Sequence, residues 1–344
     1  MVRRGGLAAA AGYYGAASSW KAGRVMRAAV AAFFNGYHCF SPVAAMLALP
    51  FSAAVLASQA VATSPSSPSG AVLRGVSSRL RGMFHAAGFP PSSFFALLNG
   101  KLSQTVFTYA ATLPAALTFL LLAKACVAGV LRADDPAARE QRRRRGRVSL
   151  PPWGAVARAY PALVATHLVG SFAMLSANAA AFSLLFLAFG AADLLGCTSR
   201  ASTLALSAAG AIAYSVAVGV ATVVCNLAVV VAAMEERCAG RAAVLRACVL
   251  IRGRVPTALA LALPTNLGMA AAEALFQLRV VSQRRKAGRL APGVAGEAFS
   301  IAYIHALCVV LEIIVSCMFY RSCRRSEADE LRELEPEEKG DLQA

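Results

Sequence analysis

The stretch MEERCAGRAAVLRACVLIRGR, Met234–Arg254, decides how the rest of the chain is interpreted. A long apolar run ends just before it at Ala233, and a second apolar run begins after it at Pro256. Five of its residues are arginines. A basic stretch between two apolar runs is typical of a connector that lies on one surface of a membrane. We call Met234–Arg254 the connector.

The composition of the chain points to a membrane protein. Hydrophobic residues make up 58% of the 344 positions and charged residues 15%, whereas soluble domains have roughly 45–50% and about 25%. The apolar residues are concentrated in runs of about 20, the length that crosses a bilayer core. We therefore predict an all-α fold, a polytopic bundle of membrane helices.

Six apolar runs are long enough to be membrane spans. They form a transmembrane domain at residues 42–320, between a basic N-terminal tail at 1–41 and a C-terminal tail at 321–344 that we expect to be disordered. Amphipathic surface helices are expected at Ala71–Ala86, in the connector, and from Trp153 into the third span. The predicted spans are Val43–Thr63, Thr105–Val130, Leu168–Phe189, Leu204–Ala233, Pro256–Leu278 and Phe299–Tyr320.

The distribution of positive charge predicts the orientation of the spans. The net charge is +17, from 34 Lys and Arg against 17 Asp and Glu. If both termini share one side of the membrane, 23 of these 34 basic residues lie on that side, in the two tails, the loop 131–158 and the connector. Basic residues favour the cytosolic side, so we expect both termini in the cytosol. The basic segment Gln283–Arg289 is an exception, because it falls on the opposite side.

Two patches of the sequence resemble a known family. The first is RLRGMFHAAGFPPSSFFALLNGKLSQT (Arg79–Thr105), which leads into TLPAALTFLLLAKACV (Thr112–Val127). The second is the connector, with its closing LIRGR (Leu250–Arg254). Over roughly residues 40–325 the chain resembles a family of plant multi-pass membrane proteins of unknown function. The resemblance implies a topology and a plant source, and it assigns no catalytic residue.

The charge pattern also bears on partners and location. The basic residues lie between apolar runs, which favours anionic lipid on the cytosolic face and argues against nucleic acid. No protein partner is indicated, and a homo-oligomer is left open. We expect an endomembrane or the plasma membrane, with Lys21–Phe34 resting on the bilayer surface. Because the N-terminal tail is rich in Ala, Ser and Arg and lacks acids, a transit peptide and a plastid or mitochondrial membrane are the alternative.

Polar side chains inside the spans are the first candidates for function, since a charge at the bilayer centre costs at least about 2.5–3.5 kcal/mol. His305 and Glu312 lie two turns apart on one face of the sixth span. We expect Lys124 to reach Glu312, and Glu273 to lie level with His305. A polar path through the bundle would consist of Lys124, Asn178, Asn226, Asn266, Glu273, His305 and Glu312. The alternative is that these side chains only join helices, by hydrogen bonds of about 0.6 kcal/mol each.

Arginines and cysteines near the predicted cytosolic surface form a second group of candidates. Each arginine there contributes about 1 kcal/mol to binding of acidic lipid, although the same residues would be needed merely to orient the spans. The cysteines are candidates for palmitoylation. The arginines are Arg142, Arg143, Arg144, Arg145, Arg237, Arg241, Arg252 and Arg254, and the cysteines are Cys238, Cys248 and Cys323.

The sequence carries no recognisable catalytic motif. Nine cysteines form no CxxC pair and four histidines are widely scattered, so we expect neither a metal site nor a cofactor. Motifs of hydrolases, metalloproteases and nucleotide-binding proteins are absent. We therefore predict a non-enzymatic protein that organises or regulates its membrane. The alternative is a transporter of a small solute or lipid that uses Glu312, Lys124, His305 and Glu273.

Overall fold

A computed structural model describes residues 22–62, 68–86, 93–133, 152–196, 199–235, 238–283 and 292–341. These residues are almost entirely helical, and no strand occurs among them. Six of the helices are long and apolar enough to cross a membrane. The predicted all-α fold with six spans is therefore confirmed.

The described residues form nine helices, which we number α1 to α9. The three that are not spans are α1 (22–35), α3 (Pro68–Ala86) and α7 (Arg241–Ile251). The first two spans contain a short π-helical turn: α2 consists of Tyr37–Val43, Ala44–Ala48 and Leu49–Ala62, and α4 of Ser93–Ala115, Ala116–Leu120 and Leu121–Ala133. The third to sixth spans are α5 (Pro152–Leu194), α6 (Arg200–Met234), α8 (Val255–Phe276, continued by the π-helical Gln277–Val281) and α9 (Pro292–Asp341).

The π-helical turns of the first two spans lie beside prolines. Pro50 follows the turn at Ala44–Ala48, and Pro114 precedes the turn at Ala116–Leu120. Proline has no amide hydrogen to donate to the carbonyl four residues earlier, so the regular hydrogen-bond ladder is interrupted at both places. The helices nevertheless continue, because local changes of pitch can satisfy the freed backbone groups inside a membrane.

The sixth span is the most enclosed of the six. Half of its apolar window is buried inside the bundle, against 6% for the third span. Ala44 and Ala48 of the first span are fully buried in the same core cluster as Val310 and Ile314 of the sixth. Small side chains on one helix allow a close approach of the other. The third and fourth spans pack mainly against each other, as a hairpin beside this core.

One end of the bundle gathers segments that the sequence places on the cytosolic side. Arg254, which closes the connector, donates from Nη1 to the carbonyl of Cys323 at 3.3 Å. Arg321 donates to the carbonyl of Leu131, at the end of the second span. The connector and the ends of the second and sixth spans therefore meet. The side of the membrane on which they lie stays a prediction.

The structure differs from the prediction in the C-terminal tail. The sequence predicts disorder over residues 321–344, but α9 continues as a helix to Asp341. The extension is rich in Glu and Arg, which have high helix propensity. It prolongs a helix that is already formed, so it avoids the cost of nucleation.

One of the two surface helices predicted outside the connector is present as a separate helix, and the other is not. At Pro68–Ala86 the amphipathic helix is present, and Phe84 lies 6.1 Å, between ring centroids, from Phe182 of the third span. The surface helix expected from Trp153 is not separate, because a single helix runs from Pro152 to Leu194. Pro161 does not end it, since one missing hydrogen bond is tolerated in a membrane helix.

Candidate functional site

A cluster of three polar side chains joins the second, fourth and sixth spans. Lys124 is buried, and its Nζ donates to Oδ1 of Asn226 at 3.1 Å. The amide Nδ2 of Asn226 in turn donates to Oε1 of Glu312 at 2.7 Å. Lys124 and Glu312 are therefore linked through the amide of Asn226, whereas the sequence predicts that Lys124 reaches Glu312 itself. We call these residues the inner cluster.

A small cavity lies beside the inner cluster, between the fourth, fifth and sixth spans. Its volume is about 30 Å³, and it is not closed off from the surface of the bundle. The polar residues that line it are Thr222, Asn226, Thr265, Asn266, Glu312 and Ser316.

A second group of polar side chains joins the first, fifth and sixth spans. His305 is buried, with Nδ1 2.9 Å from Oγ of Ser52 and Nε2 3.8 Å from Oε1 of Glu273. Gln59 donates from Nε2 to Oε2 of Glu273 at 2.8 Å and accepts from Nε2 of Gln277 at 3.2 Å. The predicted proximity of Glu273 and His305 is thus present. We call these five residues the outer cluster.

The two clusters do not form a continuous polar path among the described residues. His305 and Glu312 are seven residues apart, which is about 10 Å along a helix axis. Val309 lies between them on the same face of the sixth span and is buried in the core. An apolar layer therefore separates the clusters.

Two predicted members of the path make no hydrogen bond to either cluster in the described structure. Asn178 accepts a hydrogen bond from the hydroxyl of Tyr214 at 2.7 Å, within the hairpin of the third and fourth spans. Asn266 is exposed on the fifth span, where it lines the cavity and donates to the carbonyl of Ala262. The sequence shows which face of its own helix each amide occupies. It does not show which neighbouring helix packs against that face.

Sequence reasoning missed three members of the outer cluster, namely Ser52, Gln59 and Gln277. Ser52 and Gln59 are seven residues apart in the first span, the same spacing as His305 and Glu312. That spacing places both on one helix face and was an available signal. Gln277 is the first residue of a π-helical turn, and the turn has no proline to mark it in the sequence.

The connector contains α7, which has both a buried and an exposed apolar face. Ala243, Ala247 and Leu250 are buried against the bundle. Leu245 is 66% exposed and Val249 is 60% exposed. An exposed apolar face at the end of membrane spans is suited to contact with the bilayer interface.

Hydrogen bonds and ion pairs hold the connector on the bundle. The amide of Gly240 donates to Oγ1 of Thr166 on the third span at 2.8 Å, a buried hydrogen bond. Glu235 accepts from the hydroxyl of Tyr320 at 2.6 Å. Arg246 donates from Nη2 to Glu327 at 2.7 Å. These contacts tie the connector to the third and sixth spans.

Glycine allows the chain to reverse at the start of α7. Gly240 has a φ of +58°, a region that residues with a Cβ atom rarely adopt. The same residue donates the hydrogen bond to Thr166. A side chain at position 240 would therefore disturb both the turn and the contact.

The candidate lipid-binding arginines are placed differently from one another. Arg241 and Arg252 are exposed at the two ends of α7. Arg254 is partly buried and bonds to the backbone of the sixth span. The others, Arg142, Arg143, Arg144, Arg145 and Arg237, lie outside the described residues.

The candidate palmitoylation cysteines also differ. Cys323 is only 1% exposed, so the structure does not favour its modification, and its palmitoylation stays a prediction. Cys238 is half-buried, and burial together with the neighbouring carboxylate of Glu235 raises the pKa of its thiol. Cys248 is exposed on α7. It is the candidate that the structure leaves accessible.

The described residues include no group of three or more His, Cys, Asp or Glu side chains arranged to hold a metal ion. The polar side chains bond to one another across the helices instead. Within this part of the chain, their arrangement suits helix association.

Six apolar helices with polar side chains paired between them define a helical membrane protein. Residues 153–334 match the family described as Domain of unknown function (DUF8558), and the match covers more than half of the chain. The chain belongs to this family. Comparison with curated proteins and with solved structures gave no match. The connector lies inside the matched region and Arg79–Val127 lies before it. The plant source that the sequence suggests stays a prediction.

Proposed function

We propose that this protein is a non-enzymatic membrane protein that organises or regulates its membrane, an endomembrane or the plasma membrane of a plant cell. The observation that carries this proposal is the inner cluster, in which Asn226 bonds to both Lys124 and Glu312. Such bonds fix the helices relative to one another. A rigid bundle of this kind is suited to presenting surfaces to lipid.

The proposed lipid-contacting surface is the exposed face of α7. Leu245 and Val249 provide apolar area, and Arg241 and Arg252 provide positive charge at either end. Each arginine near an anionic membrane surface contributes about 1 kcal/mol to lipid attraction. We infer that the partner of this face is anionic lipid of the cytosolic leaflet.

The test is reconstitution into vesicles with and without phosphatidylserine, with lipid order measured by a polarity-sensitive membrane probe. The proposal predicts that the protein changes lipid order more in the anionic vesicles. The double variant Arg241→Gln/Arg252→Gln should abolish that difference. Arg325→Gln, which removes an exposed arginine from the sixth-span helix, is the matched control and should retain it. Equal effects in both kinds of vesicle contradict the proposal.

A transporter of a small solute or lipid is the second candidate, and the cavity beside Glu312 favours it. An uptake screen in proteoliposomes distinguishes the two. Transport predicts uptake by the wild type and a folded but inactive Glu312→Gln variant. The membrane-organising proposal predicts no uptake by either protein, and a modest loss of stability in the variant.

A further inference from the structure

The surface helix α3 carries a basic stripe along one side. Arg74, Arg81 and His85 are seven and four residues apart, so they share one helix face, and all three are exposed. They line one open depression in the protein surface. The sequence of α3 contains no acidic residue that would offset their charge. We call these three residues the basic stripe.

The other faces of α3 are largely apolar. Leu73, Val76 and Leu80 recur every three or four residues and are partly buried. Val72 is 58% exposed and Met83 is 66% exposed. Each of these two lies two residues from an arginine of the basic stripe, which is about 200° around the helix. A helix with exposed apolar side chains opposite basic ones is suited to lie in the membrane interface, with its charges among the lipid headgroups.

Hydrogen bonds place α3 at the depth where the second span begins. Nδ2 of Asn99 donates to the carbonyl and to Oγ of Ser77, at 3.3 Å in both cases. The apolar part of the second span begins just after Asn99, at Leu102. The other end of that span meets the sixth span, where Arg321 donates to the carbonyl of Leu131. The basic stripe therefore lies at the end of the bundle opposite the connector.

The orientation of the spans does not account for arginines at this end. Spans are oriented by an excess of basic residues on one side, and 23 of the 34 basic residues lie on the side of the two tails and the connector. Arginines at the opposite end of the bundle work against that bias. A partner with negative charge gives them a role.

We propose that the basic stripe of α3 binds the phosphate groups of anionic phospholipids in the leaflet opposite the connector. Guanidinium groups form charge-assisted hydrogen bonds with phosphate, and the imidazole of His85 supplies a further N–H donor. The exposed Val72 and Met83 favour a lipid over a soluble phosphate, because only a lipid has acyl chains to contact them. This surface is separate from the exposed face of α7, and neither proposal depends on the other.

The experiment is photo-crosslinking of the full-length protein in phosphatidylcholine vesicles. The vesicles contain a trace of a lipid analogue with a diazirine near its headgroup, either phosphatidylglycerol or phosphatidylcholine, and mass spectrometry measures the labelling of α3. We expect the phosphatidylglycerol analogue to label α3 roughly 5–25-fold more, since each of the two arginines contributes about fivefold. An excess of glycerol 3-phosphate on both sides of the membrane should leave the labelling unchanged.

Variants of two arginines on the same helix locate the effect. Arg81→Gln should lower the ratio of phosphatidylglycerol to phosphatidylcholine labelling about fivefold, and Arg81→Lys, which keeps the charge, should retain it. Arg79→Gln is the matched control, because Arg79 is also exposed but lies about 200° around the helix from Arg81. It should keep most of the ratio. If Arg81→Gln does not fold, Arg74→Gln carries the same comparison.

Three results overturn the proposal. Equal labelling by the two analogues would show that the basic stripe does not select anionic lipid. Equal losses in Arg81→Gln and Arg79→Gln would show an effect of the total charge of α3 and not of the stripe. A loss of labelling on addition of glycerol 3-phosphate would show that the ligand is a soluble phosphate.

Discussion

Replacing Asn226 with leucine is the most informative change in the bundle. Asn226 is the only bridge between Lys124 and Glu312 in the described structure, and Asn226→Leu removes both of its hydrogen bonds. If these hydrogen bonds only held the helices together, the loss of each would lower the free energy of unfolding by about 0.6 kcal/mol, and by at most about 1.7 kcal/mol. The substitution also leaves Lys124 and Glu312 without the amide between them, and each group that loses its partner in such a site costs about 1–3 kcal/mol, or more when it is charged. We therefore expect a loss of about 3–5 kcal/mol in the free energy of unfolding.

The assay is reversible unfolding of the purified protein by sodium dodecyl sulfate in mixed micelles, monitored by helical content. The matched control is Asn178→Leu. It removes the hydrogen bond between Asn178 of the third span and Tyr214 of the fourth, and it leaves no charged group without a partner. It should cost no more than about 1.7 kcal/mol. A triple variant with Lys124→Met, Asn226→Leu and Glu312→Leu should regain most of the stability, because an apolar replacement of a buried ionic group is often neutral or stabilising.

Two outcomes would refute this reasoning. In the first, Asn226→Leu lowers the free energy of unfolding no more than Asn178→Leu does. That result would mean that the Asn226 amide does not hold Lys124 and Glu312. In the other, the triple variant is less stable than the single variant, which would mean that the charges themselves stabilise the bundle.

Three further predictions follow from individual contacts. His305→Phe should lower Tm by several degrees, because it removes the contacts of His305 in the outer cluster and leaves Glu273 with one fewer partner. An unchanged melting curve would contradict this prediction. Arg246→Met should release the connector from the sixth span and accelerate its cleavage by added protease, and equal cleavage rates in wild type and variant would count against the docked arrangement. If the protein is palmitoylated in cells, Cys248→Ser should remove the modification detected by acyl exchange and Cys323→Ser should not, because only the first thiol is accessible.

The six spans were predictable because membrane insertion is a local property. A run of about 20 apolar residues identifies a span without knowledge of its neighbours. The pairing of Glu273 with His305 was also accessible, because both lie in the outer half of antiparallel neighbours. The bridge through Asn226 was not, since it depends on how three helices are rotated against one another.

The burial of Cys323 and the length of α9 show a second limit of the sequence. Cys323 lies beside basic residues that suggest an accessible surface, but Arg254 of the connector bonds to its carbonyl. The C-terminal segment has the charged composition of a disordered tail, but it continues a helix that the membrane has already nucleated. In both cases residues outside the local segment change the outcome.

The orientation of the spans is the central claim that remains to be measured. Epitope tags at the N and C termini, combined with protease protection in sealed microsomes, test it most directly. The account predicts that both tags are digested from the cytosolic side without detergent. Protection of one tag and digestion of the other would place the termini on opposite sides and contradict a six-span topology.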